Sequence, residues 1–305
     1  SAKLMKKKQY KTLCVILHYG SEKYTNECVA SMKEVKNLDI VIVDNDPNQS
    51  YKPLKKFRKF VKIIKSGGLL GFASANNLGV NKSLKRYHNS ILIINNDTVV
   101  TKESIEYLKE TLAKKNVGMA GPCMPYVKNI RKIWACGGFI NKIRLTIIGT
   151  KNFDNITAYE VDYLPGAAFL IRSSLWKSIG GFNNEYFLAY EEAELALEVK
   201  KKGFKIIADP RSIIFHHVGM SSENTPKYYY NTVRNRIIFS KYLHGKILGY
   251  IYGIIVTFLS NFKVQQLSKL IQRIKLWNFA VLDNLKKIPI DRKVLKKIET
   301  QFRGK

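Results

Sequence analysis

The chain has 305 residues, with 52 Lys plus Arg against 23 Asp plus Glu, for a formal net charge of +29. Hydrophobic residues at 46% and charged residues at 25% exclude a disordered chain, collagen and low-complexity fibres, and leave enough apolar side chain for a sizeable core. So large a cationic excess points to an anionic partner: nucleic acid, an acidic membrane surface or phosphorylated small molecules.

Residues 1–11 are Lys-rich, but the apolar run that follows, residues 12–17, is too short for a signal-peptide core, so secretion is not expected. Residues 12–17 (TLCVIL), 39–43 (DIVIV), 61–65 (VKIIK) and 90–94 (SILII) are short β-branched runs, each followed by a polar turn. Helical spacing occupies 24–35, 51–60, 74–87 and 101–115, the last with Thr101 at the N-cap position. This βαβαβαβα order predicts an α/β fold with a mostly parallel sheet and a ligand site beyond the carboxyl ends of the strands. The residues at those ends are His18-Tyr19-Gly20, Asp44-Asn45-Asp46, Ser66-Gly67-Gly68 and Asn95-Asn96-Asp97. No G-x-G-x-x-G follows a strand and no G-x-x-x-x-G-K-[ST] occurs, so a nucleotide would have to bind in another way.

Between 119 and 156 the periodicity weakens and predicts irregular strands or loops, with Gly121-Pro122, Gly137-Gly138 and Gly149 as turn signals. Order returns at 163–173 and 175–182, then as a helix over 191–202 closed by Gly203, a strand through Ile206 and Ile207, and another over 213–217. Cys14, Cys28, Cys123 and Cys136 form no C-x-x-C pair; neither a zinc site nor a disulfide framework is expected, and a reducing cytoplasm is the simplest compartment.

After His244 the composition shifts: residues 245–305 carry 13 Lys plus Arg and 3 Asp plus Glu. The charge-free apolar stretch 247–262 would span roughly 24 Å as a helix, short of the ~30 Å hydrocarbon core of a bilayer. Leu267, Leu270, Ile271, Ile274, Trp277, Val281, Leu285 and Ile288 follow helical spacing among lysines and arginines. This basic amphipathic helix either packs on the core or lies in a membrane interface.

Three constellations could carry chemistry. Asn95-Asn96-Asp97 places a carboxylate just past a buried strand, where it could hold a divalent cation through oxygen, although such clusters also make turns. Glu191, Glu192 and Glu194 crowd the start of a helix, which suits the helix dipole; crowding also raises carboxyl pKa values, as a general base requires. In the strand ending His216-His217, leading to Gly219 and Ser221, only one imidazole can face a given site, and either is a reasonable metal ligand beside a carboxylate.

These motifs, in this order, resemble a family 2 glycosyltransferase of the GT-A fold, closest to the bacterial rhamnosyltransferase-like branch that builds O-antigens, capsules and cell-wall polysaccharides. The resemblance rests on CVILHYG with TNECVASM, VIVDND, LLGFASANNLGVN, ILIINNDTVV, the G-G-F-N-x-x-Y-F-x-x-Y-E-E-x-E-L run, and IIFHHVGMSS with YYYNTVRNRIIF. It covers about residues 11–244, and it implies a catalytic domain 1–244 (nucleotide-binding half about 11–120, acceptor half about 121–244) followed by a basic helical region 245–305. It also implies that Tyr19, Asp44, Asn76, Asn95, Asn96 and Asp97 lie along the donor, with Asp44 at the nucleobase. Asp97, Asn95 and His216, with His217 as competitor, would hold Mn2+ or Mg2+, and Glu192 or its neighbour Glu191 would be the base. Three departures stand out: Asn95 replaces the first Asp of the D-x-D pattern, Glu192 replaces an Asp, and His18-Tyr19-Gly20 replaces the usual Asn-Tyr-Asn.

The implied reaction is inverting, metal-dependent transfer from a nucleotide-diphosphate sugar, first dTDP-rhamnose and alternatively UDP-galactose or another UDP-hexose. The implied acceptor is a saccharide on a lipid diphosphate, with the enzyme peripheral on the inner face of the bacterial cell membrane, held by its basic tail. A nucleic-acid partner is not expected, since no helix-turn-helix, zinc finger or RNP-type strand is present. An inactive glycosyltransferase-like scaffold is the further alternative, prompted by Asn95 and Glu192.

Overall fold

The computed structural model describes residues 10–48, 51–150, 157–217, 225–263 and 267–302. Gly219 and Ser221 lie outside the described residues. The first half runs β1 (Lys11–His18), α1 (Glu22–Ser31), β2 (Leu38–Asp44), β3 (Val61–Lys65), α2 (Phe72–Ser83), β4 (His88–Asn95), β5 (Thr98–Val100) and α3 (Lys102–Ala113). The second half continues β6 (Val117–Tyr126), β7 (Asn129–Ala135), β8 (Gly138–Asn141), β9 (Thr146–Gly149), β10 (Tyr159–Glu160), β11 (Ala168–Arg172), α4 (Ser173–Ile179), α5 (Glu191–Lys201) and β12 (Lys205–His216). Four helices close the chain: α6 (Pro226–His244), α7 (Lys246–Leu259), α8 (Leu267–Leu285) and α9 (Arg292–Phe302).

The main sheet has the order β10-β12-β6-β11-β4-β1-β2-β3, with β5 on β12 and β7 on β6. Its β4-β1-β2-β3 half is parallel, as the alternation predicts, whereas β11 runs antiparallel to both β4 and β6. The parallel strands are apolar on both faces because each face is covered: Val15, Val43 and Ile93 enter one core, and Ile16, Ile42 and Ile94 the other. Register decides the site. His18 pairs with Asp44 and Leu17 with Asn95, so three strand ends deliver their polar residues to one edge.

Several expectations are corrected. Residues 51–60 form only a 3₁₀ turn at Lys55–Phe57. The backbone amides of Tyr51 and Leu54 are taken by the Asp44 and Asn26 side chains rather than by helical carbonyls. The supposedly irregular stretch holds the ten-residue β6, buried along nearly its whole length. Its Gly118 and Gly121 answer to packing: a Cβ on Gly121 would stand 2.4 Å from Leu164, so tertiary contact overrides weak strand propensity. The two short strands expected around 206–217 are one strand, β12, with an irregularity between Asp209 and Ile213. Cys123 and Cys136 form a disulfide, against expectation; the β6–β7 register, with Met124 opposite Ala135, brings them together across 13 residues of sequence. Spacing alone carries no trace of that register.

The tail differs most from its sequence pattern. α8 does pack on α6, burying Leu276, Ala280 and Val281 in a cluster with Tyr230, Val233 and Ile237. Ile271 and Leu285 of the expected stripe remain exposed. α6 therefore serves two regions at once, since its Ile238 and Phe239 pack with Tyr186 and Tyr190 beside α5. Against α6, α7 presents Gly249, Gly253 and Thr257. A Cβ on Gly249 would meet the Ser240 carbonyl oxygen at 2.3 Å, so glycine permits the close approach of the two helices. The opposite face of α7 carries exposed Leu248, Ile251, Ile255 and Leu259.

Candidate active site

A cleft of about 680 Å³ opens at the strand-end edge and is lined by Tyr19, Asn45, Asn95, Asn96 and Asp97, with Leu69 and Leu70 from the turn before α2 and Phe72 at its start. Its far wall comes from the C-terminal helices: Lys227, Tyr228 and Asn231 of α6 and Arg292, Lys296 and Glu299 of α9. Lys227 and Glu299 tie the two helices together at 2.5 Å.

The Asn95-Asn96-Asp97 turn is fixed by its neighbours. Thr98 donates its hydroxyl to the Asn95 carbonyl at 2.8 Å, and the buried Cys28 thiol lies 3.6 Å from the same oxygen. Asn96 donates to Thr25 and to the Tyr19 carbonyl. Asp97, left half-buried by this scaffold, has its Oδ1 3.2 Å from His216 Nε2. β5 explains that contact: it pairs antiparallel with β12, setting His216 opposite Thr98. The His216 ring packs edge-on against Trp134, and its Nδ1 is buried with no hydrogen-bond partner. His217 turns the other way, towards Glu27 and the Tyr24 ring. Of the two imidazoles, His216 is the one beside the carboxylate.

Two expected donor residues do not reach the cleft. The Asp44 carboxylate is fully buried and accepts from the Asp46 and Tyr51 amides; Asn45 borders the cleft instead, but its amide is buried and spent on the Leu70 backbone. Asn76 is also buried inside α2, donating to the Phe72 carbonyl one turn earlier; Leu69, Leu70 and Phe72, ahead of it in the chain, line the cleft instead. His18 is buried as well, bound to Thr25 at 2.6 Å and packed on Tyr51, which leaves Tyr19 as the exposed side chain beside the exposed Gly20.

The acidic run is built on strained backbone. Ala189 and Tyr190 both adopt left-handed conformations, with φ of 72° and 77°, immediately before α5. Such geometry costs about 1 to 3 kcal/mol per residue unless its surroundings hold it. Here α6 holds it: Asn235 donates to the Leu188 and Ala189 carbonyls, and Arg236 donates to the carbonyls of Arg144 and Leu145, the latter also bound by the Tyr190 hydroxyl. The preceding turn depends on Gly180 and Gly181, both at positive φ, and on Asn77, whose amide bridges to Phe182 and Asn184.

The three glutamates separate by environment. Glu194 accepts from Tyr186 and Asn183 and so braces the turn. Glu191 is buried and Glu192 half-buried, and each has an oxygen with no hydrogen-bond partner. Burial pushes both carboxyl groups above the ordinary range, and at Glu191 the adjacent Glu192 charge adds to the shift. Glu192 lies within electrostatic reach of Tyr163 and Tyr190; neither glutamate lines the cleft as shaped in this structure.

The sequence pattern gives no warning of Arg234, Asn235 and Arg236, nor of Arg292 and Lys296 in the cleft wall. The first three lie in a helix already rich in polar residues, among them Lys227, Asn231, Thr232, Ser240 and Lys241, so nothing in the pattern sets them apart. Among the described residues no cluster of three or more His, Cys, Asp or Glu side chains could hold a metal, so any cation at Asp97 and His216 needs oxygens from elsewhere.

Residues 13–180, more than half the chain, match the family model for Glycosyl transferase family 2. The chain belongs to this family. It is 24% identical over 253 residues to the dTDP-rhamnosyl transferase RfbF of Shigella flexneri, covering 77% of this chain and 81% of that one. Its fold resembles that of GalNAc-T7, solved with UDP, GalNAc and Mn2+, at 13% identity and a TM-score of 0.55, covering 96% of this chain and 58% of the other. The mannosyltransferase PcManGT of Pyrobaculum calidifontis, solved with GDP-Man and Mn2+, gives 11% identity and a TM-score of 0.53 over 92% and 89% of the two chains. At these identities the structural likeness shows the fold, GT-A, and the family match shows a glycosyltransferase.

Proposed function

We propose that this glycosyltransferase moves a sugar from a nucleotide diphosphate to a saccharide hydroxyl with inversion, dTDP-rhamnose being the first donor to test and UDP-galactose or another UDP-hexose the second. The observation that carries this reading is the strand-end cleft lined by Asn95, Asn96 and Asp97, with the buried His216 against Asp97 from behind.

Asp97 offers an oxygen and His216 a nitrogen, a donor pair that suits Mn2+ or Mg2+ when diphosphate oxygens and the Asn95 amide complete the shell. Such a cation supplies Lewis-acid stabilisation of the charge that develops on the diphosphate. Arg292 and Lys296 in the opposite wall add positive charge that can meet the diphosphate directly, so that less of its neutralisation rests on the cation, while Lys227 is paired with Glu299. At the nucleobase end Tyr19 faces the ligand, while Asn45 shapes the pocket by pinning the Leu70 backbone and Asp44 by holding the Asp46 and Tyr51 amides. Glu192 would take the proton from the attacking hydroxyl. Its raised pKa makes it a better base near neutrality, and Glu191, also raised, is the alternative.

The same reading places the enzyme on an anionic membrane surface, at the inner face of the bacterial cell membrane, with an acceptor carried on a lipid diphosphate. Among the described residues no helix is long and apolar enough to cross a membrane. What supports peripheral attachment is the exposed apolar face of α7 within a region of 13 Lys plus Arg and 3 Asp plus Glu.

Thermal-shift measurements with dTDP, UDP and GDP, with and without Mn2+, test the donor assignment. A nucleotide that binds the folded chain raises its melting temperature. The reading expects a pyrimidine diphosphate with Mn2+ to give the largest rise; no rise with any of the three would overturn it.

A further inference from the structure

A second cavity, of about 650 Å³, lies on the other side of Leu69, Leu70 and Phe187, residues it shares with the strand-end cleft. It is formed where the turn before α2 and the loop 183–187 meet α6 and the connection between α8 and α9. Three cations line it, Arg234, Lys241 and Lys287, against one carboxylate, Glu185.

These charges are poorly compensated. Arg234 is 7% exposed, and it donates to the carbonyls of Glu185 and Ile288, neutral acceptors that leave its charge standing; its Nε has no partner. The neighbouring Arg236 shows what a purely structural arginine looks like on the same helix: its Nε, Nη1 and Nη2 all donate. Lys241 stands 3.9 Å from Glu185, whose side chain is 63% exposed and therefore well screened by water. Asn284, 7% exposed, donates to the Arg234 carbonyl, but its Oδ1 is also without a partner. Burial lowers the pKa of both Arg234 and Lys241, outweighing the opposing pull of Glu185 on both and of Asp283 on Arg234. A buried charge of this kind is costly unless it is closely paired, and the fold offers only the exposed Glu185 and, for Arg234, the more distant field of Asp283, whose carboxylate accepts from Tyr230.

We propose that this cavity is a second binding site, distinct from the donor cleft, that takes the phosphate or diphosphate group of a hydroxyl-bearing ligand. Arg234, Lys241 and Lys287 face the anion, and the Asn284 oxygen with Ser74 and Asn184 receives hydroxyl groups. Two sources share that chemistry, a phosphorylated saccharide acceptor and free inorganic diphosphate. The first source rests on the glycosyltransfer reading; the site itself does not.

Calorimetric titration of the full chain in metal-free buffer tests it, with inorganic pyrophosphate and glucose 1-phosphate as probes. Arg234 variants also lose contacts to two backbone carbonyls, so the decisive variant is Lys241→Met/Lys287→Met, compared with Arg292→Met/Lys296→Met in the donor cleft. Loss of a charge-assisted contact is worth about tenfold in affinity for each lysine. The proposal expects the first pair to weaken binding by at least about tenfold, whereas the second removes only the portion of pyrophosphate binding that belongs to the donor cleft and leaves glucose 1-phosphate binding within about twofold. Absence of binding to the native chain, equal binding by all three proteins, or loss only in the Arg292/Lys296 pair would overturn it. Tighter binding of glucose 1-phosphate than of pyrophosphate assigns the saccharide source, and the reverse assigns the inorganic one. Binding of dTDP with Mn2+ is read separately on the same proteins, so failure of the donor reading and failure of this site give different patterns.

Discussion

Asp97 and the Glu191–Glu192 pair are the two acidic centres on which the chemistry should depend, and they are built in opposite ways. Asp97 is held at a strand end with an imidazole 3.2 Å away, partly open to the cleft. Glu191 and Glu192 stand at a helix N-terminus that should favour their charge, yet burial pushes both pKa values up. Position along a helix dipole, worth about 0.3 to 1 kcal/mol at a surface, therefore does not decide the protonation of a carboxyl group that the fold removes from water. One centre is suited to holding a cation, the other to accepting a proton.

Removing either centre should have the largest effect, and by different routes. Asp97→Ala is expected to lower kcat/KM by about a thousandfold or more and to abolish any Mn2+-dependent rise in melting temperature on adding nucleotide. Glu192→Gln is expected to lower kcat by about 10² to 10⁴ while leaving nucleotide binding intact. If Glu192→Gln keeps its rate and Glu191→Gln loses it, the base is the buried neighbour.

The pH dependence sharpens the same contrast. A carboxyl group whose folded pKa is raised favours the folded state while protonated, and that contribution is lost as pH rises from the unfolded pKa through the folded one. Glu191→Gln should therefore raise the melting temperature at pH 8 and change it little at pH 4, as differential scanning calorimetry would show. For the reaction, kcat/KM should rise with pH through the elevated pKa of the base, with the limb missing in Glu192→Gln.

Smaller effects follow away from the reacting atoms. Asn235→Ala removes two hydrogen bonds that hold the strained carbonyls before α5, and should cost about 1 to 3 kcal/mol in chemical denaturation together with part of kcat. On α7, Ile251→Ser/Ile255→Ser should leave turnover of a water-soluble acceptor unchanged while reducing co-sedimentation with anionic liposomes. Binding that survives both this variant and high salt would remove the membrane assignment.

Much of the fold is legible in the sequence because the parallel half obeys local rules. Short β-branched runs such as residues 12–17 and 90–94, each closed by a polar turn, mark strands buried on both faces, and their ends mark the ligand edge. What stays hidden depends on contacts distant in sequence. The register of β6 and β7 joins Cys123 to Cys136, and the three-residue β5 sets His216 rather than His217 beside Asp97. Asp44 and Asn76 sit where their motifs place them, but Asp44 holds the loop after β2 and Asn76 the first turn of α2, roles that motif position does not disclose. The amphipathic pattern of α8 is real, yet most of its service is internal. The outward apolar face belongs to α7, because Gly249 and Gly253 give α6 the other side.

The central claim, that the strand-end cleft releases a nucleoside diphosphate under the control of Asp97 and Glu192, is tested most directly by one measurement. dTDP-rhamnose and UDP-galactose are each incubated with Mn2+ and the native chain, Asp97→Ala or Glu192→Gln, and the nucleoside diphosphate released is quantified. Release by the native chain with at least one donor, lost in Asp97→Ala and strongly reduced in Glu192→Gln, is the expected result. Equal release by all three proteins, or none by any of them, would contradict it.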